Sequence, residues 1–166
     1  MNSDLNYILE NVYCKCEYSL SSLAKEAESA DYSAYTYRLN TLSVKFRTAK
    51  RTPTKIGQFV TLWKRNAEGT TQPHDIFDPI DLVVISVRDN QNFGQFVFPK
   101  SALAKHGVFS TPTKEGKRGF RVYPPWDQTN NKQAEKTQKW QLDFFLDLNF
   151  KIPLNVEQVK KLYQKF

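Results

Sequence analysis

Acidic residues are missing from one long stretch of this chain. Between Tyr32 and Ala67 there is no Asp and no Glu, while Arg38, Lys45, Arg47, Lys50, Arg51, Lys55, Lys64 and Arg65 all fall within it. The rest of the chain is close to balanced, so most of the +7 formal charge arises here. Cysteine is scarce: Cys14 and Cys16 flank Lys15, a spacing that suits neither an ordinary disulfide nor a four-ligand zinc site. The only histidines, His74 and His106, stand far apart. Long apolar runs are also lacking. Leu82-Val83-Val84-Ile85 is typical, and such a run cannot cross a bilayer. The start, Met1-Asn2-Ser3-Asp4, has no basic region followed by an apolar stretch, as a secretory signal would. There is no nucleophile elbow or zinc helix, and Gly116-Lys117-Arg118-Gly119 lacks the upstream Gly and following Ser or Thr of a phosphate loop. The expectation is a cytoplasmic protein with reduced thiols, no metal, no cofactor and no membrane insertion.

What is present describes one globular domain. The chain has 166 residues, of which 40% are apolar and 14% aromatic, enough to build a core. Residues 1–31 read as an acidic helical segment: Leu5, Ile8, Leu9 and Val12 repeat at helical spacing, and Leu20, Leu23, Ala24 and Ala27 repeat it again. Six of the 17 acidic residues lie between Asp4 and Asp31, so this segment is expected to face away from any phosphate-binding surface. Residues 32–126 read as a basic, β-rich core. Tyr35 to Leu39 and Val44 to Arg47 alternate as a hairpin, Gln58 to Lys64 continues as strand, and Leu82 to Val87 suits a central strand buried on both faces. Gly94 to Phe98 reads as its partner, Pro99 and Lys100 open a short helix ended by Gly107, and Phe120 to Tyr123 reads as a last strand. Residues 127–166 read as helices, a long one capped by Asn130 or Asn131 and running to about Leu148, then a short one with Lys160, Lys161 and Lys165 outward. The fold class expected is α+β, a mixed sheet of about five or six strands flanked by helices.

The cations are interleaved with aromatics: Tyr32, Tyr35, Tyr37, Phe46, Phe59 and Trp63. Phosphate backbones favour such a surface by releasing counterions, and bases stack on aromatic rings. A second basic cluster comprises Lys100, Lys105, Lys114, Lys117, Arg118 and Arg121, with only Glu115 as an acid before Asp127. Gly116 and Gly119 bracket Lys117-Arg118, a pattern that lets backbone approach a ligand closely. The expectation is a non-catalytic nucleic-acid-binding protein that uses Arg47, Lys50, Arg51, Lys55, Lys64, Arg65, Lys117, Arg118 and Arg121 on phosphates, with Trp63 beside them. The same residues also suit a solvated face over an aromatic core, and a basic surface equally suits an acidic protein or small-molecule partner.

Three blocks carry a family resemblance: Arg47-Thr48-Ala49-Lys50-Arg51-Thr52-Pro53, Gly57 through Arg65, and Gly94 through Lys100. Lys117 through Trp126 and Gln138-Lys139-Trp140-Gln141 extend it downstream. Together they resemble the MepB-like family of small bacterial proteins, named for a member encoded beside a multidrug efflux pump. The resemblance implies a restriction-endonuclease-like fold and no established activity. A nuclease of that kind needs two carboxylates for Mg²⁺ and a Lys on the next strand to manage the attacking water. Asp78 and Asp81 precede one strand and Lys100 closes the next, but Phe98 stands where the second carboxylate belongs. A divergent Mg²⁺-dependent nuclease built on Asp78, Asp81 and Lys100 is therefore the alternative reading.

Overall fold

The computed structural model describes residues 1–164, so Lys165 lies outside the described residues. Its spine is a mixed six-stranded sheet in the order β1 (Leu20–Lys25), β2 (Tyr35–Leu39), β3 (Leu42–Thr48), β8 (Leu82–Arg88), β9 (Phe93–Pro99) and β11 (Phe145–Asp147). Only the β3–β8 pair is parallel. The crossover between them carries β4 (Lys50–Arg51), β5 (Gln58–Thr61), β6 (Trp63–Arg65) and β7 (Thr71–Pro73) in place of a helix. Strands β4 and β5 join β10 (Gly119–Val122) in a three-stranded sheet ordered β10-β5-β4, and β6 pairs with β7. The helices are α1 (Ser3–Ile8), α2 (Lys100–Lys105), α3 (Lys132–Gln141) and α4 (Val156–Leu162).

Alternation along β8 explains why it is central. Leu82 and Val84 enter one apolar core, while Val83, Ile85 and Val87 enter another on the opposite face. The first core is closed by Leu5, Ile8 and Val12 from the N-terminal helix and by Val159 and Leu162 from α4. The second is closed by Val60, Phe120 and Val122 of the small sheet and by Leu103 and Phe109 after β9. The expected α+β class, the Tyr35–Arg47 hairpin and the buried central strand are all present. The short helix after Pro99 is also present, followed by Gly107 at φ +75°.

One expected helix is absent and another ends early. Leu20 to Lys25 is an edge strand paired with β2, irregular between Ser21 and Ala24. Its apolar spacing never forms a buried face: Leu20 is half-buried and the rest of the strand is exposed. The second correction concerns the long helix, which stops at Gln141. There the Gln141 amide acts as a substitute strand partner, accepting from Tyr123 N at 2.8 Å and donating to Arg121 O at 2.9 Å. Phe145 and Leu146 then need opposite faces, one in each core, and β-structure supplies them by pairing Phe145 with Phe96.

Part of the acidic segment meets cations of the basic stretch. Glu26, just past β1, pairs with Lys45 and reaches Arg47 at 2.6 Å, although Arg47 is fully buried. Arg47 Nη1 also donates to Phe46 O at 2.9 Å. Burial raises the Glu26 carboxyl pKa, but Arg47 and Lys45 outweigh burial and hold it below the usual carboxylate value. A folded pKa below the unfolded one stabilises the fold above the unfolded value, and this stabilisation is lost as pH falls through the folded value. Glu26→Gln leaves Arg47 buried without its counter-charge and should cost on the order of 3 kcal/mol at neutral pH, read by urea denaturation. The variant should also lose part of the acid sensitivity of the wild type. An unchanged urea midpoint would show that the pair is dispensable.

Candidate nucleic-acid interface

Strand β10 runs antiparallel to β5, with Arg121 opposite Phe59. The loop before β5 therefore meets the end of β10, and the approach to β10 lies at the other end of this ladder; both line a groove of about 530 Å³. The first turn of α3 and the end of α2 line the groove as well. Lys55, Lys117 and Arg121 contribute from the small sheet and its loops, and no Asp or Glu lines the groove. Arg121 is held by neutral acceptors, donating to Thr52 Oγ1 at 2.7 Å and Ile56 O at 3.3 Å, so its charge is not cancelled locally. Asn131 caps α3 by accepting from Ala134 N at 2.8 Å. Asn131, Gln133 and Ala134 line the groove, so the partial positive charge of the helix N-terminus adds to that of the cations.

The groove also has an aromatic element. His106 and Trp140 are stacked with centroids 4.0 Å apart and planes within 3°. Trp140 packs on Phe98 at 5.3 Å, which ties the pair to the second core. Burial, with Lys105 and Lys136 nearby, lowers the His106 pKa below its ordinary value.

Ion pairing sorts the cations expected on phosphates into two groups. Arg47 is buried beside Glu26 and cannot reach a ligand, which corrects the expectation for it. Lys64 donates to Asp78 at 2.6 Å and to Asp75 at 2.9 Å. Arg65 bonds Glu28 at 2.8 Å and lies over the half-buried Trp63 ring at 5.1 Å. Arg118 turns to Thr71 O at 2.9 Å and lies 3.7 Å from Glu115. Among the described residues, Lys50, Arg51, Lys55, Lys117 and Arg121 have no such ion pair. Lys50 sits over the Tyr32 ring at 5.0 Å, and Arg51 is exposed. All five lie on the small sheet or in its adjoining loops.

The acidic residues of the nuclease alternative have other partners. Asp78 gathers Lys64, His74 Nδ1 at 3.0 Å and the Asp75 N–H at 3.0 Å. Burial raises the Asp78 pKa, but the Lys64, Asp75 and His74 hydrogen bonds hold it below the usual value. Asp81 accepts from Ser43 N at 2.8 Å, fastening the start of β8 to β3. Lys100 Nζ donates to Ile76 O at 3.0 Å and to Asp78 O. Asp81 and Lys100 meet only through their backbones. No group of three or more His, Cys, Asp or Glu among the described residues is placed to hold a metal ion.

Sequence reasoning missed three contributors to the groove. In the sequence Asn131 reads only as a helix cap and His106 only as an isolated histidine, Gln133 has no role, and nothing local says that a helix start will face a distant basic loop. The expected role of two glycines also changes. A Cβ at Gly116 would lie 2.2 Å from Val108 O, and one at Gly119 would lie 2.6 Å from the Phe59 ring. Both glycines therefore admit the protein's own chain rather than a ligand.

A family model described as MepB-like matches residues 26–147, and the chain belongs to that family. It is similar to the crystal structure of MepB, with 37% identity, 90% of this chain and 99% of that one covered, and a TM-score of 0.78. The bacterial homing endonuclease I-Ssp6803I is also similar, at 13% identity over 84% of this chain and 86% of that one, with a TM-score of 0.45. Among curated proteins none matches.

Gly116→Ala should destabilise the fold, because the obstructing atoms are backbone and cannot swing away. Thermal unfolding should show a clearly lower midpoint. A stable Gly116→Ala protein with impaired ligand binding would instead support a ligand-contact role for that glycine.

Proposed function

We propose that this protein binds nucleic acid without cleaving it, through the groove between the β10-β5-β4 sheet and helices α2 and α3. The observation that carries this reading is the acid-free lining around Lys55, Lys117 and Arg121. Several other cations have carboxylate partners, as at Lys64, Arg65 and Arg47, whereas these three have none among the described residues. A cluster without carboxylates attracts an anion from outside. Lys50 on the edge strand β4 is exposed and, among the described residues, in no ion pair, while its neighbour Arg51 lies within electrostatic reach of Asp89 and Asp127. A phosphate backbone is suited to this arrangement, because each cation that neutralises a phosphate releases counterions condensed on the nucleic acid while amides position the phosphate.

The test is fluorescence anisotropy of a labelled oligonucleotide across a salt series. With three to five cations engaged, the log–log slope should be about −2 to −4. Lys55→Ala, Lys117→Ala and Arg121→Ala should each reduce its magnitude by about 0.7 to 0.9, for every sequence tested. Arg65→Ala and Arg118→Ala should change it little, since their partners lie within the protein. Binding that is flat between low and physiological salt would remove the electrostatic basis. Mg²⁺- or Mn²⁺-dependent cutting abolished by Asp81→Ala would replace this reading with the nuclease.

A further inference from the structure

We propose that the groove selects unpaired nucleic acid over duplex, because its wall carries an aromatic stack that an exposed base can extend. This rests on the reading of the groove as a phosphate-backbone site.

The argument begins with how firmly the stack is held. Trp140 is fixed from behind by Phe98 and Phe144, which belong to or pack against the second core. His106 lies parallel to Trp140 at 4.0 Å, directly after α2, where its N–H bonds Ala102 O at 3.0 Å. Both rings line the groove and both are only half-buried. No described aromatic ring other than Trp140 packs on the imidazole. The lowered pKa of His106 keeps the ring mostly uncharged at neutral pH, so it stacks as a neutral aromatic.

The second step is geometric. Lys55, Lys117 and Arg121 come from the small sheet and its loops, while His106 and Trp140 come from the helices. A nucleotide in this groove meets cations on its phosphate and a ring face on its base. In a duplex each base is covered above and below by its neighbours and shows only its edge in the grooves. An unpaired base presents a free face, and stacking on it is tolerant of sequence because every base has one. The platform therefore rewards single strands and gives a duplex nothing beyond the phosphate contacts.

The experiment compares two probes at equal salt: a labelled single-stranded DNA of mixed sequence and its blunt-ended duplex. Wild-type protein should bind the single strand about fivefold or more tightly than the duplex. His106→Ala should weaken single-strand binding by about fivefold or more and leave duplex binding unchanged. His106→Phe, which keeps a ring without the imidazole, should retain the preference, and thermal unfolding of each variant reports whether the fold is intact. Equal binding of both probes, unaffected by His106→Ala, overturns the selectivity while the phosphate reading stands. Loss of both probes by the same factor in His106→Ala overturns it as well, since the residue would then act on the fold. Binding of neither probe by the wild type removes the phosphate reading and this inference together.

Discussion

A guanidinium with no exposed surface is tolerable only beside a carboxylate, and Arg47 depends on Glu26 for it. That requirement shapes one half of the molecule. Glu26 follows β1, and Arg47 sits on β3 with β2 between them. The ion pair therefore bridges over a strand and fixes the edge of the sheet from behind. Lys45 shares the same carboxylate, and Glu28, two residues on, takes Arg65. The acidic N-terminal segment thus supplies counter-charges to the basic stretch. The loop around Asp75 and Asp78 does the same for Lys64.

Compensation at one end of the basic region leaves a surplus at the other. Lys45 and Arg47 of β3 are matched, and among the described residues Lys50, Arg51 and Arg121 of the small sheet are in no ion pair. A net charge of +7 says only that cations are in excess. The fold decides where the excess is exposed, by giving the available carboxylates short paths to some cations and none to others. Electrostatic attraction of a polyanion follows that residual distribution more closely than it follows the count of Lys and Arg along the chain.

The sequence showed the parts of the fold that local patterning controls. A strand that alternates apolar with polar residues buries one face, whereas the unbroken Leu82-Val83-Val84-Ile85 run buries two, and β8 is central. The Tyr35–Arg47 hairpin followed from period two alone. Leu20–Lys25 was illegible because an edge strand needs no apolar face of its own, only a neighbour whose hydrogen-bonding edge is open. Phe145–Asp147 was illegible for a related reason: Phe145 and Leu146 fit a helix by composition and turn to strand only because two cores meet at that edge. Lys55, Lys117 and Arg121 were legible as cations of one surface. Arg47, Lys64 and Arg65 were not separable from them, because carboxylate partners 11 or more residues away leave no local trace, and Arg118 turns to Thr71, 47 residues off, as well as to the nearby Glu115.

The small sheet has a consequence for the order in which this protein becomes competent. Its strands β4 and β5 lie in the crossover between β3 and β8, yet β10 arrives only after β9 and α2 have been made. The helix that closes the groove follows later still. A chain emerging from the ribosome therefore holds its basic strands well before it holds the third strand beside them, and the groove appears only once residues more than seventy positions apart have met, from Lys55 to Asn131. The groove is therefore a late feature of the chain, and an incomplete product carries the charge without the shape.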